Sequence, residues 1–301
     1  RPDIIRESDY NNFFGSASAK YSLTKDLQLQ LGANQGLQRP RFADVTGGIT
    51  QDNDDGAVEF SLPNKNLKPE LFNNYVGRAQ YYFEPVGSLG VSAYQIDIKN
   101  SITKVNYNAV DFVTQFPDEA LFDLTQATSD PDISTSTFRR KVNASGTSRF
   151  RGWEVEYSQQ LSFLPGALRG FDVRASYTRN YARAQRQETL LSLSPHYVSG
   201  ALGFRYRGFY INSSVKWTDD TPFESVRAEL GNRPRVREAR YLVDLSLSYR
   251  INSRYSISVQ GRNIFNEALR VNDPATELAP SVLWRIERYG ALWTTGFRAN
   301  F

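Results

Sequence analysis

The residue types that usually carry catalysis or metal binding are nearly missing from this chain. It has one histidine and no cysteine. His196, in Pro195-His196-Tyr197, cannot build a histidine-based metal cluster alone, so it reads as a lumenal or rim residue of a strand structure. Without thiols there is neither disulfide nor thiolate chemistry. Acidic pairs occur at Asp54-Asp55, Asp130/Asp132, Asp219-Asp220 and Glu154/Glu156. Asp52-Asn53-Asp54-Asp55 and Asp130-Pro131-Asp132 offer hard oxygen ligands, but neither has calcium-loop spacing, and solvated loop acids are the simpler reading. No nucleophile stands with a base and an orienting group. The expectation is a protein that is not an enzyme, with no catalytic residue, metal or cofactor.

The densest charge is basic: Arg227, Arg233, Arg235, Arg237 and Arg240, interleaved with Asn232 and Pro234. A smaller instance is Arg139-Arg140-Lys141. Guanidinium groups suit bidentate recognition of carboxylates and phosphates. Three uses compete for the longer stretch. It could capture an anionic ligand, hold phosphates of surrounding lipopolysaccharide, or be a plain solvated loop. Arg139, Arg140, Arg227, Arg233, Arg235 and Arg237 are the candidate ligand contacts. The net charge of +4 is too diffuse to indicate nucleic acid.

The elements that must position these groups are strands. Tyr241, Val243, Leu245, Leu247 and Tyr249 alternate with Asp244, Ser246, Ser248 and Arg250. Tyr255, Ile257 and Val259 alternate with Ser256, Ser258 and Gln260 after the turn Ile251-Asn252-Ser253-Arg254. The same period of two recurs at Leu27–Leu31, Phe171–Tyr177, Val198–Tyr206 and Phe209–Trp217, with further segments at Tyr75–Phe83, Leu89–Ile102 and Trp153–Leu161. In Leu89–Ile102 the apolar phase changes from Leu89, Val91 and Ala93 to Tyr94, Ile96 and Ile98, which predicts a bulge. The final strand carries Tyr289, Ala291, Trp293, Thr295, Phe297, Ala299 and Phe301 on one face, with Leu292 an exception on the other. Template matching gives about eleven strands and no convincing helix.

Connections alternate in length. Short ones fall at residues 24–26, 84–88, 164–170, 207–208 and 251–254, and long ones near 39–69, 108–146, 184–191, 219–239 and 266–284. Tight turns on one rim and long loops on the other are expected of an outer-membrane barrel with its short side periplasmic. Hydrophobic residues make up 40% of the chain, and no window is apolar enough for a membrane-spanning helix, which excludes a helical membrane protein but not a barrel. Glu154 and Glu156 then share the lumenal face of one strand. Tyr206, Phe209, Trp217, Tyr241, Tyr255, Trp293 and Phe297 fit interfacial girdles. With the last strand ending in the periplasm, an odd count starts the first outside. The expectation is therefore one domain, residues 1–301, forming the C-terminal portion of a larger barrel, with Phe301 as its true end and Arg1 not a natural start.

Four motifs occur in order. Gln38-Arg39-Pro40 tops the second strand, and Asn64-Lys65-Asn66-Leu67-Lys68-Pro69-Glu70 enters the next. Asn263-Ile264-Phe265-Asn266 follows the penultimate strand, and Gly296-Phe297-Arg298-Ala299-Asn300-Phe301 closes the chain. Together they resemble the C-terminal half of TonB-dependent outer-membrane receptors. The chain departs from that pattern at Ile264 and Asn266, where Leu and Asp are usual, and at Ala299, where a larger apolar residue is usual.

The resemblance implies a transmembrane antiparallel barrel of roughly 22 strands, of which this chain supplies half. It implies an N-terminal plug not in this chain, and an inner-membrane energy transducer reached through a missing N-terminal segment. It also makes Trp293, Gly296, Phe297 and Phe301 an assembly signal for the outer-membrane assembly machinery. Partners would be outer-membrane lipid and lipopolysaccharide of a Gram-negative cell and a small-molecule solute, with no nucleic acid. The expected function is energy-coupled uptake of a scarce solute, bound by extracellular loops and lumen. The alternatives are a passive porin and a surface-adhesion barrel.

Overall fold

The computed structural model describes residues 11–54, 57–117, 123–183, 193–223, 233–276 and 280–300. In chain order the first strands are β1 (Ser16–Ser22), β2 (Leu27–Gln38), β3 (Thr50–Asp54), β4 (Ala57–Leu62), β5 (Glu70–Phe83), β6 (Gly87–Lys99) and β7 (Ile102–Tyr107). Then come β8 (Thr137–Asn143), β9 (Thr147–Gln160), β10 (Phe171–Arg183), β11 (His196–Tyr206), β12 (Phe209–Thr218), β13 (Thr221–Pro222) and β14 (Val236–Arg237). The last are β15 (Arg240–Arg250), β16 (Tyr255–Arg262), β17 (Leu269–Asp273), β18 (Val282–Glu287) and β19 (Leu292–Ala299). Eleven of them form one sheet in the order β1-β2-β5-β6-β9-β10-β11-β12-β15-β16-β19. The pairs from β9 to β19 are antiparallel throughout.

The period-two pattern explains why these segments pair. In β12, Phe209, Ile211, Val215 and Trp217 sit opposite Tyr249, Leu247, Val243 and Tyr241 of β15, while Tyr210, Asn212 and Ser214 sit opposite Ser248, Ser246 and Asp244. Apart from Ser213 opposite Leu245 and Lys216 opposite Leu242, like meets like across the ladder, so each face largely keeps one character. The apolar face is left uncovered: Leu31, Trp293 and Phe297 are 66%, 54% and 66% exposed. In water such a face would be an aggregation liability, whereas hydrocarbon removes the penalty. Aromatics mark both ends. Phe209 stacks on Tyr249 at 4.3 Å and Tyr255 on Phe297 at 5.8 Å near the short turns, while Trp217 and Tyr241 pair near the long connections. Phe209 and Trp217 are separated along one strand by roughly 27 Å at ~3.4 Å per residue, the scale of the ~25 Å apolar band of a barrel.

The segment Leu89–Ile102 spans most of β6 and the first residue of β7. β6 runs unbroken to Lys99, and Asn100, at φ 57°, ends it before β7. The Tyr94 hydroxyl bonds Asn180, which lies on the polar side of β10 with Ser176 and Thr178.

The chain divides into two compact units. Residues 16–34, 74–96 and 149–301 hold most of the wall and the small sheet β13-β14-β17-β18. Residues 1–15, 35–73 and 97–148 hold the sheet β3-β4-β8-β7, in which β4 and β8 run parallel. The second unit also contains helices α1 (Phe42–Thr46), α2 (Ala109–Gln115), α3 (Leu124–Ser129) and α4 (Pro131–Ser134). These correct the expectation of no helix; at four to seven residues each they are too short to show a helical period. Its core is Ala109, Phe112, Ala127 and Phe138, with Phe60 stacked on Phe138 at 5.3 Å. Asn108 caps α2 by accepting from the Asp111 amide, and Asp123 forms a capping box with Gln126.

Two of the sequence motifs are structural locks. Asn64 donates to the Lys141 carbonyl at 2.9 Å, and Glu70 accepts the Ile102 amide at 2.7 Å. Asn263, at φ 49°, donates to the Glu267 carbonyl and accepts the Glu267 amide, while its own amide bonds Asp244. Between the last two wall strands, a Cβ on Gly261 of β16 would come within 2.7 Å of the Trp293 ring of β19, so the glycine makes room for that ring. Phe301 lies outside the described residues.

The two-faced wall predicts opposite effects for neighbouring substitutions in the middle of β15. In the full-length protein refolded into lipid, Leu245→Arg should destabilise by ~2–4 kcal/mol, while Ser246→Arg should change stability little. Denaturant unfolding followed by tryptophan fluorescence measures both, and equal effects would contradict the assignment of faces.

Candidate functional site

The polar face of the wall is built by register. Glu154, Glu156 and Ser158 of β9 stand opposite Thr178, Ser176 and Arg174 of β10, and Ser176 stands opposite Ser199 of β11. The Arg78 guanidinium reaches Glu156 at 2.5 Å across the width of β6. The Ser176 and Ser199 hydroxyls are 2.8 Å apart. Tyr94 lies over Gly152, where a Cβ would approach its oxygen to 2.5 Å, and this leaves its hydroxyl on Asn180. A hollow of about 390 Å³ is lined by Arg78, Gln80, Glu156, Arg174, Ser199 and Lys216. Nearer the short turns a second, of about 750 Å³, is lined by Arg205, Arg250, Arg298, Tyr210 and Gln260. The face is polar, weakly basic and rich in small hydroxyls, suited to a water-filled passage for polar or anionic solutes.

The placement of Glu154 and Glu156 on this face agrees with the alternation of β9. Arg78, Tyr94, Arg174, Asn180 and Lys216 are the partners that sequence reasoning missed. Parity within each strand assigns their face, but which strands adjoin depends on pairing that one-dimensional periodicity does not contain.

Among the basic candidates, the structure brings Arg233, Arg235 and Arg237 to one small sheet. Arg233 donates to the Ala275 carbonyl at 2.9 Å. Arg235 is nearly buried, donates to Asp273 at 2.7 Å and lies 3.8 Å over the Trp284 ring. Arg237 and Arg285 both sit over Phe223, at 4.9 Å each, and Arg285 pairs with Glu287 at 2.9 Å. Burial, with Arg240 and Arg285 close by, lowers Arg237 below the usual guanidinium range. The cluster is therefore largely an internal framework of stacked and paired guanidinium groups. Arg227 lies outside the described residues.

Arg139 and Arg140 belong to the other unit. Arg139 pairs with Glu59 and donates to Asn106, and Arg140 is buried over Phe116 with Asn64 as a partner at 3.1 Å. The two basic stretches thus occupy separate units, and in both the arginines organise loop structure. His196 stands at the start of β11 on the outward face, with Tyr177 2.6 Å from Nδ1 and Arg179 against Nε2. The lumenal alternative for it is thereby excluded. No group of three or more possible metal ligands occurs among the described residues.

Comparison with known proteins agrees with this geometry. A family model described as TonB dependent receptor-like, beta-barrel, matches residues 5–264. No curated protein matches. Among solved structures, the ferric enterobactin receptor PfeA of Pseudomonas aeruginosa, a Q482A mutant in complex with enterobactin, is 14% identical with a TM-score of 0.70, over 96% of this chain and 41% of that one. The siderophore receptor PirA of Acinetobacter baumannii is 13% identical with a TM-score of 0.65, over 96% and 41%. FpvA of P. aeruginosa, bound to a heterologous pyoverdine–iron complex, is 15% identical with a TM-score of 0.58, over 97% and 33%. At these identities the likeness is one of fold, and the chain spans about two-fifths or less of those receptors.

The buried Arg235–Asp273 contact gives a local prediction. Arg235→Ala should weaken the small sheet by about 1.5–3 kcal/mol, the usual worth of a charge-assisted hydrogen bond. Hydrogen exchange at the Val236, Arg237 and Asn272 amides should then accelerate about 10–100-fold. Unchanged exchange would mean that Arg235 does not hold the sheet.

Proposed function

Because the chain belongs to the TonB-dependent receptor-like β-barrel family, whose solved members lie in the outer membrane of Gram-negative cells, we propose that it is the C-terminal part of an energy-coupled uptake receptor for a scarce anionic chelate. The observation that carries this reading is the polar face of the wall. A file of hydroxyl groups and basic side chains, from Arg78, Arg174 and Lys216 to Arg205, Arg250 and Arg298, follows the strands between the two rims. Guanidinium groups set among small hydroxyls attract a multiply charged oxygen ligand without fixing it permanently.

Receptors for enterobactin and pyoverdine share the fold, which makes a ferric siderophore the first solute to test. Energy coupling and a plug are parts of the same proposal. Family membership supports both, and this chain would supply the wall and loops against which a plug moves.

The test uses the whole receptor in its native cell under iron limitation. Deleting the receptor, or the inner-membrane transducer, should abolish uptake of one ferric siderophore from a panel, and the intact receptor should restore it. Uptake that persists without the transducer would identify a passive pore and contradict the proposal. A receptor-linked growth defect on a solute other than iron would change the chelate while leaving energy coupling in place.

A further inference from the structure

On β9 and β10 the outward face of the wall carries a cluster of charge that a lipid-facing surface should not. The outward positions of β9 and β10 include Arg151, Arg179 and Arg183, with Tyr181 opposite Arg151 and Trp153 opposite Arg179. No carboxylate occupies an outward position of either strand. Arg151 and Arg179 lie 5.8 Å and 4.8 Å from the Tyr181 ring, and Arg179 also rests on His196. Asp219 lies 3.9 Å from the same His196 Nε2 that Arg179 contacts, so Arg179 has a carboxylate close by. Arg151 and Arg183 are exposed. All three arginines lie at the long-connection ends of their strands, among aromatics of the upper girdle.

Beside them the wall is hollowed. Ala17 and Ala19, Ala33, Gly77 and Ala93 come from four strands, β1, β2, β5 and β6, that otherwise present Tyr21, Leu29, Tyr81 and Val91 outward. The resulting apolar groove, about 810 Å³, is bounded by Leu31 and Trp153 and reaches Arg151 and Tyr181. A groove with small apolar residues along its floor and guanidinium groups at one end fits an amphiphile: an acyl chain in the groove and an anionic head on the arginines.

We propose that this is a binding site for a phosphate-bearing lipid of the outer leaflet, with its phosphate held by Arg151, Arg179 and Arg183 and one acyl chain in the Ala17–Ala93 groove. Desolvating three cations beside hydrocarbon is costly unless an anion neutralises them, and phosphate takes guanidinium bidentately. Tyr181 and Trp153 occupy the headgroup depth where amphipathic rings are favoured. The site differs in place and partner from the Arg233–Arg237 sheet, whose guanidinium groups are spent on Asp273, Trp284 and Phe223.

The experiment uses the full-length receptor purified in mild detergent, with purified lipopolysaccharide, its enzymatically dephosphorylated form and inorganic phosphate as probes. Native mass spectrometry reads the bound lipid. Wild type should retain phosphorylated lipid at least tenfold more tightly than the dephosphorylated form and should show no binding of inorganic phosphate. Arg151→Gln with Arg183→Gln, which spares the Arg179–His196 contact, should remove that preference while the barrel keeps its heat-modifiable mobility on gels. Ala93→Leu, which fills the groove, should weaken lipid retention several-fold with the arginines intact. Equal binding of the two lipid forms to wild type, or an unchanged preference in the double variant, would overturn the proposal. Inorganic phosphate bound as tightly as lipid would overturn the acyl-chain half and leave an anion site alone.

Discussion

One constraint governs this molecule: successive side chains of a strand point to opposite faces, so a single register decides which half of the sequence meets lipid. In β12 and β15 the outward set is Phe209, Ile211, Val215 and Trp217 against Tyr249, Leu247, Val243 and Tyr241. A slip of one residue would turn Lys216 and Asp244 into hydrocarbon and bury the aromatics in the lumen. Charge at the bilayer midplane costs ~2–4 kcal/mol per basic residue, so the wall rejects that alternative many times over. The short turns at 207–208 and 251–254 fix the register by allowing no slack.

The polar interior depends on that same registration. Arg78 reaches Glu156, and Tyr94 reaches Asn180 over Gly152, because β5, β6, β9 and β10 all turn their even-numbered positions inward. The loop elements follow different physics. The unit around Phe112 and Phe138 has a small apolar core and capped helices, as a water-facing module requires. The sheet around Arg235 is held by a cation stacked on Trp284 and paired with Asp273, which gives order with little apolar volume. A lipid-facing wall needs no such core, because its apolar side chains are buried by solvent that is itself apolar.

The wall was legible in the sequence because its signal is local. The eleven strands and the short turns follow from period-two alternation and turn residues. The interior of the long connections was not legible. The parallel pairing of β4 with β8 joins residues far apart in the chain, and α2 to α4 are too short to show a period. The Arg233–Arg237 and Arg139-Arg140 stretches were visible as charge, but their Asp273, Trp284, Glu59 and Phe116 partners come from other segments. The outward arginines of β9 and β10 were visible by parity with Trp153 and Tyr177, yet they stood apart from the conspicuous basic runs.

The chain contains no cysteine, so its central division into a lipid face and an aqueous face can be read one residue at a time. Single cysteines placed at each position from Phe209 to Thr218 of β12, in the full-length receptor in outer-membrane vesicles, would be exposed to a hydrophilic maleimide small enough to enter the lumen. Labelling should alternate, fast at Tyr210, Asn212, Ser214 and Lys216 and slow at Phe209, Ile211, Ser213 and Val215. Uniform labelling, or alternation of the opposite phase, would contradict the account.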